Sequence, residues 1–395
     1  MAIRALRVAV AAAALASIGA FAATMPSGKP EYMLVGIDNK AVFADDGSVQ
    51  MLPPGTDLAA VVDIGTDPGN PKIVARLPLM NSVFGPPTNL AITPDGSLAL
   101  VANSLDWVAD GANWKSVPDN KLYVIDLTTD PPALIETLAI GKQPSGLSIN
   151  RAGNLALVAN RADNSISVLS IQGKTVKLVD TVPMGEQVAA VVFTPDGKRA
   201  LAAKFPGNKV ALLNVDGQKV TYDKRDLPVG LWPYNVGVMP DGKLAITSDN
   251  GNSGRSDGNV DTVSVIDLEA NPPRVIDKII VNESPEGLVV SPTGQVAAVI
   301  LLGGSDGPKN QWFYNRAGRV AVLKVDGKKV TKVGEIAVGA IPEGAVFSSD
   351  GKWLYVGNYA DRNISVLRVD GDTVTDTGKT VLLPGSPASM RGRAQ

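Results

Sequence analysis

Two short stretches of this chain read Pro-Glu-Gly, at 285–287 and 342–344, and each places a glutamate where a link hands over to a strand. Carboxylates paired at the mouth of an apolar channel raise one another's pKa and can then move protons near neutral pH, or hold a cation. Glu286 and Glu343 are therefore the candidate catalytic residues. Basic side chains recur at a similar level: Arg161, Lys204, Arg255, Arg316 and Arg362 lie at or just after apolar strands. Such groups can grip a carboxylate or phosphate through charge-assisted hydrogen bonds. Asn103, Trp107, Trp232, Tyr234 and Trp312 complete the candidate ligand-binding set. Asn103 recurs as Asn160 and Asn358, a repetition that also fits a structural hydrogen bond to the neighbouring link. Asp257, Asn259 and Asp261 have the alternate spacing of a calcium loop, without the glycine and distal glutamate of the EF-hand pattern. No other metal and no cofactor is expected.

What is missing narrows the chemistry. The 395 residues contain no histidine and no cysteine. That removes Ser-His-Asp and Cys-His nucleophiles, histidine bases, histidine–zinc sites and haem ligated or attached through these residues. The formal charge of −2 offers no basic field for nucleic acid.

These residues must be positioned by a repeat. Strands such as Lys121-Leu-Tyr-Val-Ile-Asp126, Thr262-Val-Ser-Val-Ile-Asp267 and Asn363-Ile-Ser-Val-Leu-Arg368 return seven times. Their closing positions, from Asp63 to Arg368, are 44 to 63 residues apart. Tight turns of the type Thr93-Pro-Asp-Gly96, Thr194-Pro-Asp-Gly197 and Met239-Pro-Asp-Gly242 precede a second strand such as Leu155-Ala-Leu-Val-Ala-Asn160. The period and the turn chemistry predict an all-β, seven-bladed β-propeller of four-stranded antiparallel blades. Only six such turns serve seven blades. The C-terminal segment Gly385-Ser-Pro-Ala-Ser-Met390, which echoes Gln143-Pro-Ser-Gly-Leu-Ser148, is expected to supply the missing strand and close the ring.

The longer repeats gain their length between second and third strands, at residues 104–120, 249–261 and 303–318, and residues 37–55 occupy the same place in the first blade. Alternating strand direction puts all four on one rim, the expected meeting place for a small-molecule or protein partner. Trp107, Trp114, Trp232 and Trp312, with Tyr234, Tyr314 and Tyr359, belong to that rim. At the N-terminus, Arg4 and Arg7 precede an apolar, alanine-rich run ending in Ala20-Phe21-Ala22. This reads as a signal peptide over residues 1–22, cut after Ala22, leaving residues 23–395 as one exported, periplasmic or secreted domain, monomeric and without a membrane span.

The unit Ser/Thr-Pro-Asp-Gly, then Leu-x-Val-x-Asn, then Val-Ser-Val-Ile-Asp, then Val-Gly-x-x-Pro resembles the YVTN-type repeat. The instances at 194–197, 353–358, 262–267 and 338–342 carry the likeness, which extends over about residues 31–390. The broader family is the lactonase-like seven-bladed propellers. The resemblance implies the propeller fold and, for an enzyme, hydrolase or lyase chemistry on lactones with polar and charged residues around the central funnel. Two functional readings stand. The favoured one is an exported binding or interaction protein using the long-loop rim, with Trp107, Trp114 and Trp312 forming an exposed apolar patch. The other is a lactonase-like hydrolase or lyase acting on a small anionic or sugar lactone, with Glu286, Glu343 and at least two of the five basic residues in one pocket.

Overall fold

The computed structural model describes residues 28–251 and 254–393; the expected signal peptide lies outside them. Seven four-stranded antiparallel sheets surround a central channel, and two small two-stranded hairpins stand apart from them. The middle strands of each blade are sandwiched between neighbouring blades. All six residues of Leu155–Asn160 are therefore buried, whereas most of the outer strand Thr175–Pro183 is exposed. This explains why the sequence shows continuous apolar runs rather than strict alternation. Leu100 and Val124 of one blade pack against Leu147 and Val158 of the next, and comparable clusters fill the other seams. Every third-to-fourth strand ladder carries a register shift, as between Val168 and Leu169 or Val366 and Leu367. The added twist fits flat sheets into a ring.

The ring closes as expected. Pro387–Arg391 pairs antiparallel with Tyr32–Ile37, placing Arg391 opposite Leu34 and Met390 opposite Val35. The turns also behave as their residues dictate: Thr93 Oγ1 donates to Asp95 at 2.5 Å and the Ser97 amide donates to the same carboxylate at 3.0 Å. Gly96 takes a φ of +76°, which glycine alone adopts freely. Asp126 ends its strand by accepting the Thr128 amide at 2.9 Å, and its contact with Lys174 holds its pKa down at about 2.

The four long connections share one rim. Residues 37–55 form the hairpin Ala41–Phe43 with Val49–Met51, and residues 104–120 form Leu105–Asp110 with Asn113–Pro118. Val83, Trp107, Leu302, Ile341 and Tyr359, drawn from several blades, build a second apolar layer over the ring, with Phe43 and Phe84 packed against it. Beneath this layer Lys40 is fully buried, 3.2 Å from Asp38 and 2.5 Å from Asp57, and it also donates to the Asn81 carbonyl. Tyr359 donates to the Ala41 carbonyl at 2.7 Å, tying the last blade to the first-blade loop. Among the described residues no helix is long and apolar enough to cross a membrane.

Candidate active site

The innermost strand of most blades starts at a proline: Pro144, Pro233, Pro285 and Pro342. The strand register breaks immediately after each one, so the following residue leaves the ladder. A bulge of this kind re-aims a side chain, here toward the channel. The residue before each proline is left-handed: Gln143 (φ 56°), Trp232 (55°), Ser284 (54°) and Ile341 (50°). Non-glycine residues resist that conformation. It is held because all four of these amides find acceptors on the rim connections: Gln143 on the Asp119 carbonyl at 2.7 Å, Trp232 on Asn208 Oδ1 at 2.8 Å, Ser284 on Asp261 at 2.7 Å and Ile341 on Ser305 Oγ at 2.9 Å.

The register places Thr88, Ser145, Ala189, Tyr234, Glu286 and Glu343 at one level around the channel. Above this level lies a cavity of about 230 Å3, lined on one side by Phe43, Val49 and Phe84 and on the other by Arg161, Trp232 and Tyr234, with Arg255, Asp306 and both glutamates between. Glu286 and Glu343 are 6% and 5% exposed. Burial pushes the Glu286 carboxyl up to about 8; Asp306 adds to the rise, while the Asn250 amide, 2.9 Å away, and Arg161 oppose it. Glu343 rises well above the carboxylate range through burial and the neighbouring charges of Glu286 and Asp306, with nothing to offset them. Both carboxyls thus hold their protons more tightly than a solvated glutamate, and only Glu286 has polar partners that oppose the rise.

Arg161 supplies positive charge opposite them. Its guanidinium lies 4.8 Å from the Phe205 ring centroid and donates to the Tyr234 hydroxyl at 3.4 Å. Among the described residues, its buried Nε–H has no acceptor and the buried Oδ1 of Asp306 has no donor. A donor and an acceptor left open in one small polar cavity are what a polar ligand completes.

The other expected residues lie elsewhere. Lys204 is turned outward into a network with Tyr222 at 2.9 Å and Asp226 at 3.0 Å. Arg316 is exposed and 3.5 Å from Asp361, and Arg362 is also exposed. Asn103 is buried and donates to Asp119 at 2.7 Å within its own connection. Trp107 is only 3% exposed and stacks on Phe84 at 5.9 Å, while Trp312 is 81% exposed against Phe313. The hairpin that carries Trp107 folds it inward, so Trp107, Trp114 and Trp312 do not form a shared surface patch. Asp257 and Asp261 accept the Asn259 and Ser284 amides, and among the described residues no three carboxylates are arranged to hold a metal ion. Asp306, Asn250, Phe43 and Phe84 were not singled out in the sequence. Asp306 sits in Gly-Gly-Ser-Asp-Gly, which reads locally as a turn.

The site predicts a pH signature. Unfolded, Glu286 titrates near 4.5; folded, near 8. Between those values the folded state binds the extra proton, so stability falls as pH rises through this window and levels off above it. Urea titrations should show the native chain losing on the order of 2 kcal/mol or more between pH 5 and pH 8. Glu286→Gln should flatten that slope. Parallel slopes in the two proteins would place the carboxyl in a wetter site than the structure gives it.

A family model described as Lactonase, 7-bladed beta-propeller matches residues 123–230. No curated protein sequence matches the chain. Among solved structures, the periplasmic gluconolactonase of Pseudomonas aeruginosa is similar at 20% identity and a TM-score of 0.67, covering 93% of this chain and 99% of that one. A Bacteroides fragilis protein provisionally assigned as a 6-phosphogluconolactonase has 18% identity and a TM-score of 0.68, covering 92% and 98%. Hydrazine synthase of Kuenenia stuttgartiensis has 18% identity and a TM-score of 0.60, covering 78% and 90%. At these identities the likeness to solved structures is one of fold. The chain resembles the lactonase-type seven-bladed propellers.

Proposed function

We propose that this chain hydrolyses a lactone of a sugar acid in the rim cavity, and that it does so as an exported protein. The observation that carries the reading is the convergence of Glu286 and Glu343 with Arg161 in one cavity that has Arg255 at its mouth. A carboxyl titrating near 8 is matched to taking a proton from water close to neutral pH. In this mechanism Glu286 accepts the proton as the water oxygen bonds to the lactone carbonyl carbon. The oxyanion that forms lies against the free Nε–H of Arg161. The ring C–O bond then breaks, and Glu343, held neutral by burial, gives its proton to the departing alkoxide. The new carboxylic acid returns its proton to Glu343 and Glu286 releases its own to solvent, so the product leaves as the open hydroxy carboxylate, and no histidine is required. The lactonase family match and the gluconolactonase name of the Pseudomonas neighbour support the substrate class. The signal-like N-terminus and the periplasmic place in that same name support export.

The test is a pH-stat assay near pH 7 with glucono-δ-lactone and its 6-phosphate. Rates no higher than the uncatalysed background for both, with folded protein, sink the reading. Arg255 is exposed at the cavity mouth, where it meets a substrate phosphate. Arg255→Met is expected to raise KM for the phosphorylated lactone about tenfold, the worth of one charged hydrogen bond, and to leave KM for the neutral lactone unchanged.

A further inference from the structure

The opposite end of the channel carries an unassigned feature. Three residues below the glutamate level, about 10 Å along an inner strand, the register sets Ala91, Ser148, Val192, Gly237, Val289 and Val346 around the axis. The seventh place at this level is filled from the C-terminal strand, and there it is Arg391. One permanent cation thus stands in a collar of small and apolar side chains. The cavity at this end has a volume of about 180 Å3, room for several waters or one small anion. Its lining includes two more arginines, Arg151 and Arg393, and no aspartate or glutamate.

None of the three arginines forms an ion pair among the described residues. Arg151 donates to the Pro240 carbonyl at 3.2 Å, and the Arg393 guanidinium lies against Gly96, where an added Cβ would sit 2.6 Å from it. Arg391 is half-buried, and burial with no offsetting carboxylate lowers its pKa to about 10. At neutral pH it remains charged. A guanidinium held in an apolar collar without a counter-ion is costly, and deprotonation does not relieve it. The glutamates are too far up the channel to serve, and their own proton affinity keeps them from supplying charge.

We propose that the plain end of the channel is an anion-binding site, in which Arg391 holds a small oxyanion, phosphate, sulfate or a short carboxylate, that enters past Arg151 and Arg393. Planar guanidinium donors pair with two oxygens of such a group at once. The apolar collar limits the ligand to a compact head and excludes folded polymers. The site is independent of the hydrolytic reading, since it lies at the other rim and shares no residue with the upper cavity.

The test uses the purified mature chain in low-anion buffer, titrated calorimetrically with inorganic phosphate, sulfate and acetate at constant ionic strength, with melting temperature followed in parallel. The native chain is expected to show saturable heat and a saturable rise in melting temperature with at least one of the three. Arg391→Met is expected to weaken that binding at least tenfold and, without added anion, to melt higher than the native chain. Arg391→Lys should keep part of the affinity. Binding of acetate alone supports a carboxylate as the occupant, and binding of phosphate or sulfate supports an inorganic oxyanion. Should Arg391→Met fail to fold, the Arg151→Ala/Arg393→Ala pair at the mouth, which leaves the strand untouched, should still weaken binding several-fold. No saturable heat for any of the three anions overturns the proposal. So does a rise in melting temperature that is linear in salt and equal in the native chain and the variants, which is the general effect of excluded salts.

Discussion

Glu286→Gln is expected to slow lactone turnover by about two to four orders of magnitude, the usual worth of a positioned general base, with KM little changed. Glutamine keeps the shape and the hydrogen bond from Asn250 Nδ2 but cannot take a proton. In the native chain the rate should climb with pH through the Glu286 titration near 8 and fall only where Glu343 ionises. The variant should lose the rising limb. The loss of rate should come with a gain in stability at pH 8, because the buried charge is gone. That opposition separates a functional carboxyl from a structural one, whose removal lowers both. A variant that keeps native kcat at pH 7 would remove Glu286 from the mechanism, and Glu343→Gln would then decide whether the second carboxyl acts alone.

Lys40→Met should cost about 3–5 kcal/mol, the loss that follows when one partner of a buried ion cluster is removed. Lys40 and its partners Asp38 and Asp57 are buried almost completely, and Asp38 already sits above its ordinary pKa through burial and the charge of Asp57. Without the ammonium, two carboxyls face each other in a dry layer and at least one must stay protonated. The same ammonium lies 4.8 Å from the Trp107 ring centroid, so the hairpin carrying Trp107 loses a support as well. Because Phe43 and Val49 extend from this loop into the cavity wall, KM for the lactone should rise along with the loss of stability. A urea midpoint shift of less than about 1 kcal/mol, at unchanged slope, would show that water reaches the cluster.

Much of the ring was legible because it repeats. The spacing from Asp63 to Arg368, the Thr-Pro-Asp-Gly turns and the all-apolar second strands each report a local condition that seven blades satisfy in turn. Closure by Pro387–Arg391 was legible for the same reason, since that segment repeats the proline of Pro144. The side on which the chain carries its extra length could also be read, because strand direction alternates by rule. Glu286 and Glu343 could be nominated as a pair because both follow a proline at the same place in the repeat.

The folded ring decided what a one-dimensional reading had no means to reach. Lys204 holds the repeat place of Asn160, opposite Lys209 as Asn160 is opposite Ser165, one residue before the place of Arg161, so Lys204 turns out to Asp226 and Arg161 turns in over Phe205. Trp107 looked like a surface aromatic and is buried, since its hairpin folds back over Phe84. Asp306 and Asn250 reach the glutamates from connections with no repeating pattern. The amino-acid order thus determined the sheets, their number and the rim that bears the loops, through short-range rules that recur. Which side chains share a cavity, and which arginine is left without a partner on the axis, was decided by distances between blades, where each contact joins residues tens to hundreds of positions apart.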